Sequence, residues 1–536
     1  MELSLEQMIG QRLLLAFHGK DSSVPGVREL IRRYKPAGLS LFRTLNLDSV
    51  EQIRLLTAGL QAIAREEGLP PLLIGTDQEG GQLMAIGDRM TLLPGNMALG
   101  AAGSEDLARK AGRVVGTELA AVGVNVNYAP ICDVNVNPLN PVIGIRSFGE
   151  DPQEVGHLAA AMIDGIQSCG VAATAKHFPG YGDTTVDPHF GIPTLAHDLE
   201  HLRRVEFPPF RAAAQAGARM IMSAHIALPA LDGNLPVTFS STVLKSILRD
   251  ELGYRGVIVT DAMDMHTIRQ GDALKDEAIR AVHAGADLVL VTSRPDDHRR
   301  IYDGLLEAAR GGRLDMDEMR GSIARIGDLK QWQGGHPQPG LEVIGSMEHA
   351  HIAREIAAQS LTLVRDDAGL LPLRLNPGER AAVIFPRPLD LTPADTSSFV
   401  MPTLAANLRQ CCHVGVDEFI LSHLPTDAEI SAVSQAMAAY KVAIVGTLNA
   451  NSQSAQARLV KATLQTGVPT IVVAMRLPYD LAAFPEAPTF VCSYSILDPS
   501  MQMLAQALTG EIPFRGRLPV AIPGLYARGH GIVQSS

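Results

Sequence analysis

Asp187 and His189 stand two residues apart, with Pro188 between them, in the stretch KHFPGYGDTTVDPHFGIP that covers residues 176–193. In extended backbone, residues i and i+2 project to the same side, so the carboxylate can reach the imidazole. Pro188 fixes its own φ and biases Asp187 towards extended geometry. A carboxylate beside an imidazole selects the ring orientation and raises the fraction of imidazolium near neutral pH. That suits a histidine that must donate a proton and later take one back. The same spacing also fits a loop-capping aspartate next to a surface histidine. Other polar groups favour chemistry: Asp77, Lys176, His177, His225 and Asp261 each end an apolar run, and Arg146 lies in the long loop after another.

The apolar runs are the elements that must position these groups. Up to about residue 330 there are eight: RLLLAF, AGLSLF, PLLIGTD, VNVNYAP, VAATAKHF, MIMSAHI, GVIVTDAM and ADLVLVTS. Amphipathic stretches such as SVEQIRLLTAGLQAIAREEG and DPQEVGHLAAAMIDGIQSCG lie between most of them. Strand and helix therefore alternate as parallel βαβ units require, and eight units close naturally into a (β/α)8 TIM-like barrel. Strands of such a barrel are buried on both faces, and functional residues collect at their C-terminal ends. Charged groups recurring at that end of several runs point to one convergent site.

The barrel is expected over residues 1–333, with QGGHPQPG supplying the punctuation of a linker at 334–345. From 346 to 536, SLTLV, AAVIF, VAIVG, TIVVA and TFVCSYS alternate with Ala-rich helical stretches. This predicts a smaller, doubly wound α/β sandwich domain. It carries no GxGxxG or GxxxxGK[ST] fingerprint, so its expected role is packing against the barrel or forming a homodimer.

Two domains also suit a chain of 536 residues. A formal charge of −11 speaks against nucleic acid and anionic membranes as partners. The opening MELSLEQMIGQRLLLAF lacks the basic start of a secretory leader, and no run approaches the roughly 20 apolar residues of a membrane span. Five scattered cysteines without ligand spacing read as buried small hydrophobes in a reducing compartment, and the expectation is a cytoplasmic protein. Trp332 is the one tryptophan, so stacking against a ligand would fall to Tyr, Phe or Met.

KHFPGYGDTTVDPHF resembles the KHFPGHGDTxxDSH signature of bacterial family-three β-N-acetylglucosaminidases, and GVIVTDAMDM resembles the strand bearing their aspartate nucleophile. GTDQEGGQL is similar to their sugar-binding loop, VNVNYAPICDVN and VIGIRSFGEDP to the segments around their substrate arginine, MIMSAHIALPALD to their sixth-strand region, and GEIPFRGRLPVAIPG to the close of their second domain. The resemblance implies Asp261 as nucleophile, His189 as general acid/base and Asp187 as its partner. It implies that Asp77, Arg146, Lys176 and His177 hold a terminal β-linked N-acetylglucosamine, a small carbohydrate substrate. Hydrolysis would be retaining, with no cofactor and no metal.

Gln82 and Ala85 stand where such relatives commonly carry arginines, so a sugar contact would be missing or supplied by Arg89. Pro188 replaces their usual Ser or Thr. A histidine acid/base repels phosphate less than a carboxylate does, which keeps a β-N-acetylglucosaminide phosphorylase open, as well as another β-glycosidase such as a β-glucosidase. A metal-dependent barrel hydrolase using His177, Asp187, His189, His225 and Asp261 is a further reading. So is a sugar-binding regulatory protein, motivated by the missing arginines.

Overall fold

The computed structural model describes residues 3–186, 191–265, 267–412 and 415–533. Each of the eight expected runs forms a strand: β1 Leu13–Ala16, β2 Gly38–Ser40, β3 Leu73–Thr76, β4 Val126–Asn127, β5 Ala172–Phe178, β6 Met220–Ser223, β7 Val257–Thr260 and β8 Val289–Val291. They lie side by side in one parallel sheet in the order β8-β1-β2-β3-β4-β5-β6-β7. The sheet closes on itself where Val259 bridges Leu288, with Thr260 N–H donating to Leu288 O at 3.0 Å.

Alternation of side chains divides the strands between two cores. Leu14, Leu73, Val126, Met220, Val257 and Leu290 fill the barrel interior. Leu13, Leu15, Ile74, Ile221, Ile258 and Val289 face the surrounding helices. Gly75 is small because Tyr128 crosses the interior: a Cβ there would meet its hydroxyl oxygen at 2.4 Å. Helix Pro25–Tyr34 buries Val27, Leu30, Ile31 and Tyr34 at the i, i+3, i+4, i+7 spacing of one helix face. Helix Met316–Gln333 closes the N-terminal end of the barrel, where Arg325 binds Asp287 and Lys330 donates to Gln11 Oε1 at 2.8 Å. Trp332 lies there under the Arg219 guanidinium, at the opposite end from the strand C-termini.

Beyond helix Met347–Ser360 the chain builds a second sheet from β9 Thr362–Asp366, β10 Arg380–Pro386, β11 Gly415–Leu421, β12 Val442–Thr447, β13 Thr470–Ala474 and β14 Thr489–Cys492. Its order is β9-β14-β13-β12-β10-β11, parallel except for the antiparallel edge strand β9. The sequence reading found five of these strands and missed β11. GVDEFIL alternates exposed and buried residues along the other edge and so lacks the continuous apolar run of a central strand. All five cysteines are free; Cys132 and Cys492 are buried, whereas Cys169, Cys411 and Cys412 are only half-buried, which corrects the expectation for those three. Among the described residues no helix is long and apolar enough to cross a membrane.

Candidate active site

A cavity of about 630 Å³ opens at the C-terminal ends of the barrel strands, within the size range of small-molecule sites. Asp77, Arg146, Lys176, His177 and Asp261 all line it. The sequence reading therefore named five groups that the fold brings together. Lys176 and His177 end β5 in succession; the peptide between them is cis, and both side chains face the cavity. Tyr128, Tyr181, Met222 and Met265 supply its apolar surface, in keeping with a site built without tryptophan.

The charged groups form a compact cluster around a residue that was not expected, Glu79. Its carboxylate takes a bidentate pair from Arg146, with Nε at 2.9 Å and Nη2 at 2.7 Å, and Lys176 Nζ lies 2.7 Å from its Oε1. Lys176 Nζ also donates to Asp77 Oδ1 at 2.6 Å. Two cations and two carboxylates thus neutralise one another. Burial alone would raise the Glu79 pKa, but Arg146 and Lys176 overcome it and hold it at about 2. Burial likewise disfavours the Lys176 ammonium, yet Asp77 and Glu79 raise its pKa above the ordinary lysine value.

Exposure separates the roles available to these groups. The Arg146 and Lys176 side chains are 4% and 3% exposed, whereas Asp77 is 24% exposed and is the carboxylate turned towards the cavity. His177 is oriented from behind by a second unexpected residue, the buried Asp133, whose Oδ2 lies 2.9 Å from His177 Nδ1. Asp133 also accepts the Tyr181 N–H at 2.7 Å, so one carboxylate fixes both the ring and the chain beyond β5.

Asp261 directly follows β7. Its Oδ1 accepts the Ala262 N–H at 2.8 Å, and its own N–H donates to Ser223 O. His225 is fully enclosed, with Nδ1 2.8 Å from Thr238 Oγ1 and Nε2 3.1 Å from Ala262 O. Burial lowers its pKa despite the nearby Asp261, as expected of a structural histidine. The expected dyad of Asp187 and His189 lies outside the described residues. The chain leading to it is pinned as far as Thr184: Asn140 Nδ2 donates to Tyr181 O at 2.7 Å. A Cβ on Gly182 would lie 1.6 Å from Val134 O, so glycine permits this approach.

Part of the cavity wall comes from the second α/β unit, through Asp390, Thr392, Pro393, Asp395, Thr396 and Phe399. The unit expected to pack against the barrel or to dimerise thus also contributes to the cavity wall. Thr396 N–H donates to Gln82 O at 2.9 Å, and the Asp395 carboxylate is held by Arg476 at 2.9 Å. The Arg43 guanidinium lies 3.9 Å from the Phe399 ring centroid across the cavity mouth. Gln82 thus serves through its backbone oxygen and through its side chain, whose Nε2 donates to Ala394 O at 3.4 Å. Arg89 does not replace the missing arginines: it pairs with Glu51 on the surface and is absent from the lining, whereas Arg43 and Arg294 are present.

With this geometry in place, residues 4–329 match the glycosyl hydrolase family 3 N terminal domain. The chain belongs to glycosyl hydrolase family 3. This family 3 chain is 30% identical to Beta-hexosaminidase A of Pseudoalteromonas piscicida over 97% of both proteins. It is 28% identical to a Beta-N-acetylglucosaminidase/beta-glucosidase of Cellulomonas fimi, over 97% of this chain and 94% of that protein. It superposes on the family 3 beta-N-acetylglucosaminidase structure from Paenibacillus sp. str. FPU-7 with a TM-score of 0.91 at 36% identity, over 97% of this chain and 99% of that one. In the family 3 barrel seen here, Glu79 had a sequence signal that was passed over: it stands two residues after Asp77, on the same side of an extended chain. Asp133 and the second unit's wall had no such signal, because their partners are distant in sequence.

Proposed function

We propose that this protein is a retaining exo-β-N-acetylglucosaminidase that removes terminal β-linked N-acetylglucosamine. The observation that carries the reading is Asp261, which directly follows β7 and lines the same cavity as Asp77, Lys176 and Arg146, the last two paired with Glu79 behind it. An Asp261 oxygen bonds to the anomeric carbon as the glycosidic C–O bond breaks, and His189 gives its proton to the departing oxygen. Water, losing a proton to His189, then attacks the anomeric carbon and frees Asp261, so two displacements restore the configuration. Asp187 orients His189. The roles of Asp187 and His189 rest on the resemblance of the motif that carries them. Asp77, Lys176 and His177 bind the sugar hydroxyls, with Arg146 acting through Glu79 as well as at the cavity wall. We assign the protein to the cytoplasm, a reading supported by its five free cysteines.

The similarity to the Beta-N-acetylglucosaminidase/beta-glucosidase of Cellulomonas fimi favours one second reading, turnover of β-glucosides at the same site. Aryl β-glycosides of N-acetylglucosamine, glucose and xylose, each assayed with and without phosphate, test both. The expected result is the highest kcat/KM on the N-acetylglucosaminide, with free sugar as product in either buffer. Equal or better turnover of the glucoside supports the second reading. Accumulation of sugar 1-phosphate would replace hydrolysis with phosphorolysis.

A further inference from the structure

Outside the cavity lining, four ionisable side chains meet where the chain leaves β5 and where it returns to the barrel wall. Asp183 is on the outgoing side. His197 is on the returning side, close to the bridge between Thr194 and Ala227. His201 projects from helix Leu199–Arg204, and Glu206 immediately precedes helix Phe207–Gln215. One ligand atom from each of His197, His201 and Glu206 lies within 4.8 Å of the others. His201 Nε2 is 3.7 Å from Glu206 Oε1, and His197 Nε2 is 2.6 Å from Asp183 Oδ2. The two imidazoles stack with centroids 3.8 Å apart.

Two atoms in this cluster lack what buried polar atoms normally have. His201 Nε2 and Glu206 Oε2 are both enclosed and have no hydrogen-bond partner among the described residues. The Glu206 side chain is 3% exposed. Such a pair of unused lone-pair carriers, aimed at one point, calls for a water or an ion to complete it.

We infer that Asp183, His197, His201 and Glu206 form a zinc site on the outside of the barrel, separate from the sugar cavity. Two imidazoles and one or two carboxylates are a donor set that zinc takes in tetrahedral geometry. Closure requires the ligand atoms to draw in to about 3.3 Å of one another, as bonds of about 2.0–2.2 Å at tetrahedral angles demand. His197 and His201 are half-exposed, so rotating their rings out of the stack supplies that movement without shifting the backbone. The ion takes no part in glycoside cleavage. It ties the outgoing chain at Asp183 to the returning chain at His197, so binding stabilises the folded protein.

The test uses the full-length protein freed of metal by chelation. Calorimetric titration with zinc(II) is expected to give one ion per chain and a raised Tm, and cobalt(II) to give the strong visible absorption of a tetrahedral site. His201→Ala and, independently, His197→Ala are expected to weaken binding by about 100-fold or more while leaving the metal-free Tm unchanged. Absence of stoichiometric binding overturns the inference. So does binding that persists unchanged in both variants, which would place the ion elsewhere.

Discussion

Glu79 is the carboxylate on which two buried cations depend. Replacing it with glutamine leaves the Arg146 guanidinium and half of the Lys176 pairing uncompensated, at a cost of about 3–5 kcal/mol. Urea denaturation of Glu79→Gln checks this, and a loss below about 1 kcal/mol would contradict it. The sign of the pH dependence follows from the same residue. Its folded pKa of about 2 lies below the ordinary 4.5, so between these values the unfolded chain takes up a proton that the folded site refuses. The stabilisation is complete above pH 4.5 and is lost as pH falls through about 2; Glu79→Gln is expected to flatten this acid limb. Lys176, His177 and Asp261 were legible because each interrupts an apolar run at the point where a barrel strand ends. Glu79 carries only its i+2 spacing from Asp77 as a signal, and Asp133 carries none, since the imidazole that marks it is supplied by another strand.

At the scale of elements, two segments carry testable consequences. Helix Met316–Gln333 places Lys330 under the barrel, where burial pushes its pKa down to about 7. The unfolded chain keeps this lysine protonated up to 10.5, so stability should rise with pH between about 7 and 10.5. Lys330→Met removes the buried amine, and its Tm is expected to exceed that of the parent most clearly near pH 7, with a smaller gap at pH 10. An unchanged gap would contradict the assignment. The segment 390–399 depends on the buried Arg476–Asp395 pair. Arg476→Ala strands a buried carboxylate, so a stability loss of about 3–5 kcal/mol is expected, with KM rising by a larger factor than kcat falls. Steady-state kinetics checks the split. The eight barrel strands were readable as short apolar runs between helical patterns. Edge strand β11 was not, because half its residues face solvent.

For the whole molecule, the second α/β unit is part of the site and not merely its neighbour, through the segment 390–399 that follows β10. Phe399 is 60% exposed and belongs to none of the hydrophobic cores, yet its ring faces Arg43 of the barrel at the cavity wall. Phe399→Ala is therefore expected to shift unfolding by no more than about 0.5 kcal/mol while raising KM several-fold, a combination that an uninvolved surface residue would not give. The sequence indicated two α/β units in succession, but not that the second contributes a wall to the first, since that contact joins residues more than 300 positions apart. The proposed function requires Asp261 to bond to the sugar in this joint cavity. Incubation with a 2-fluoro glycosyl fluoride followed by mass spectrometry of proteolytic fragments measures this directly. One sugar per chain, carried by Asp261, is predicted; rapid turnover without any adduct, or a label on another residue, would contradict it.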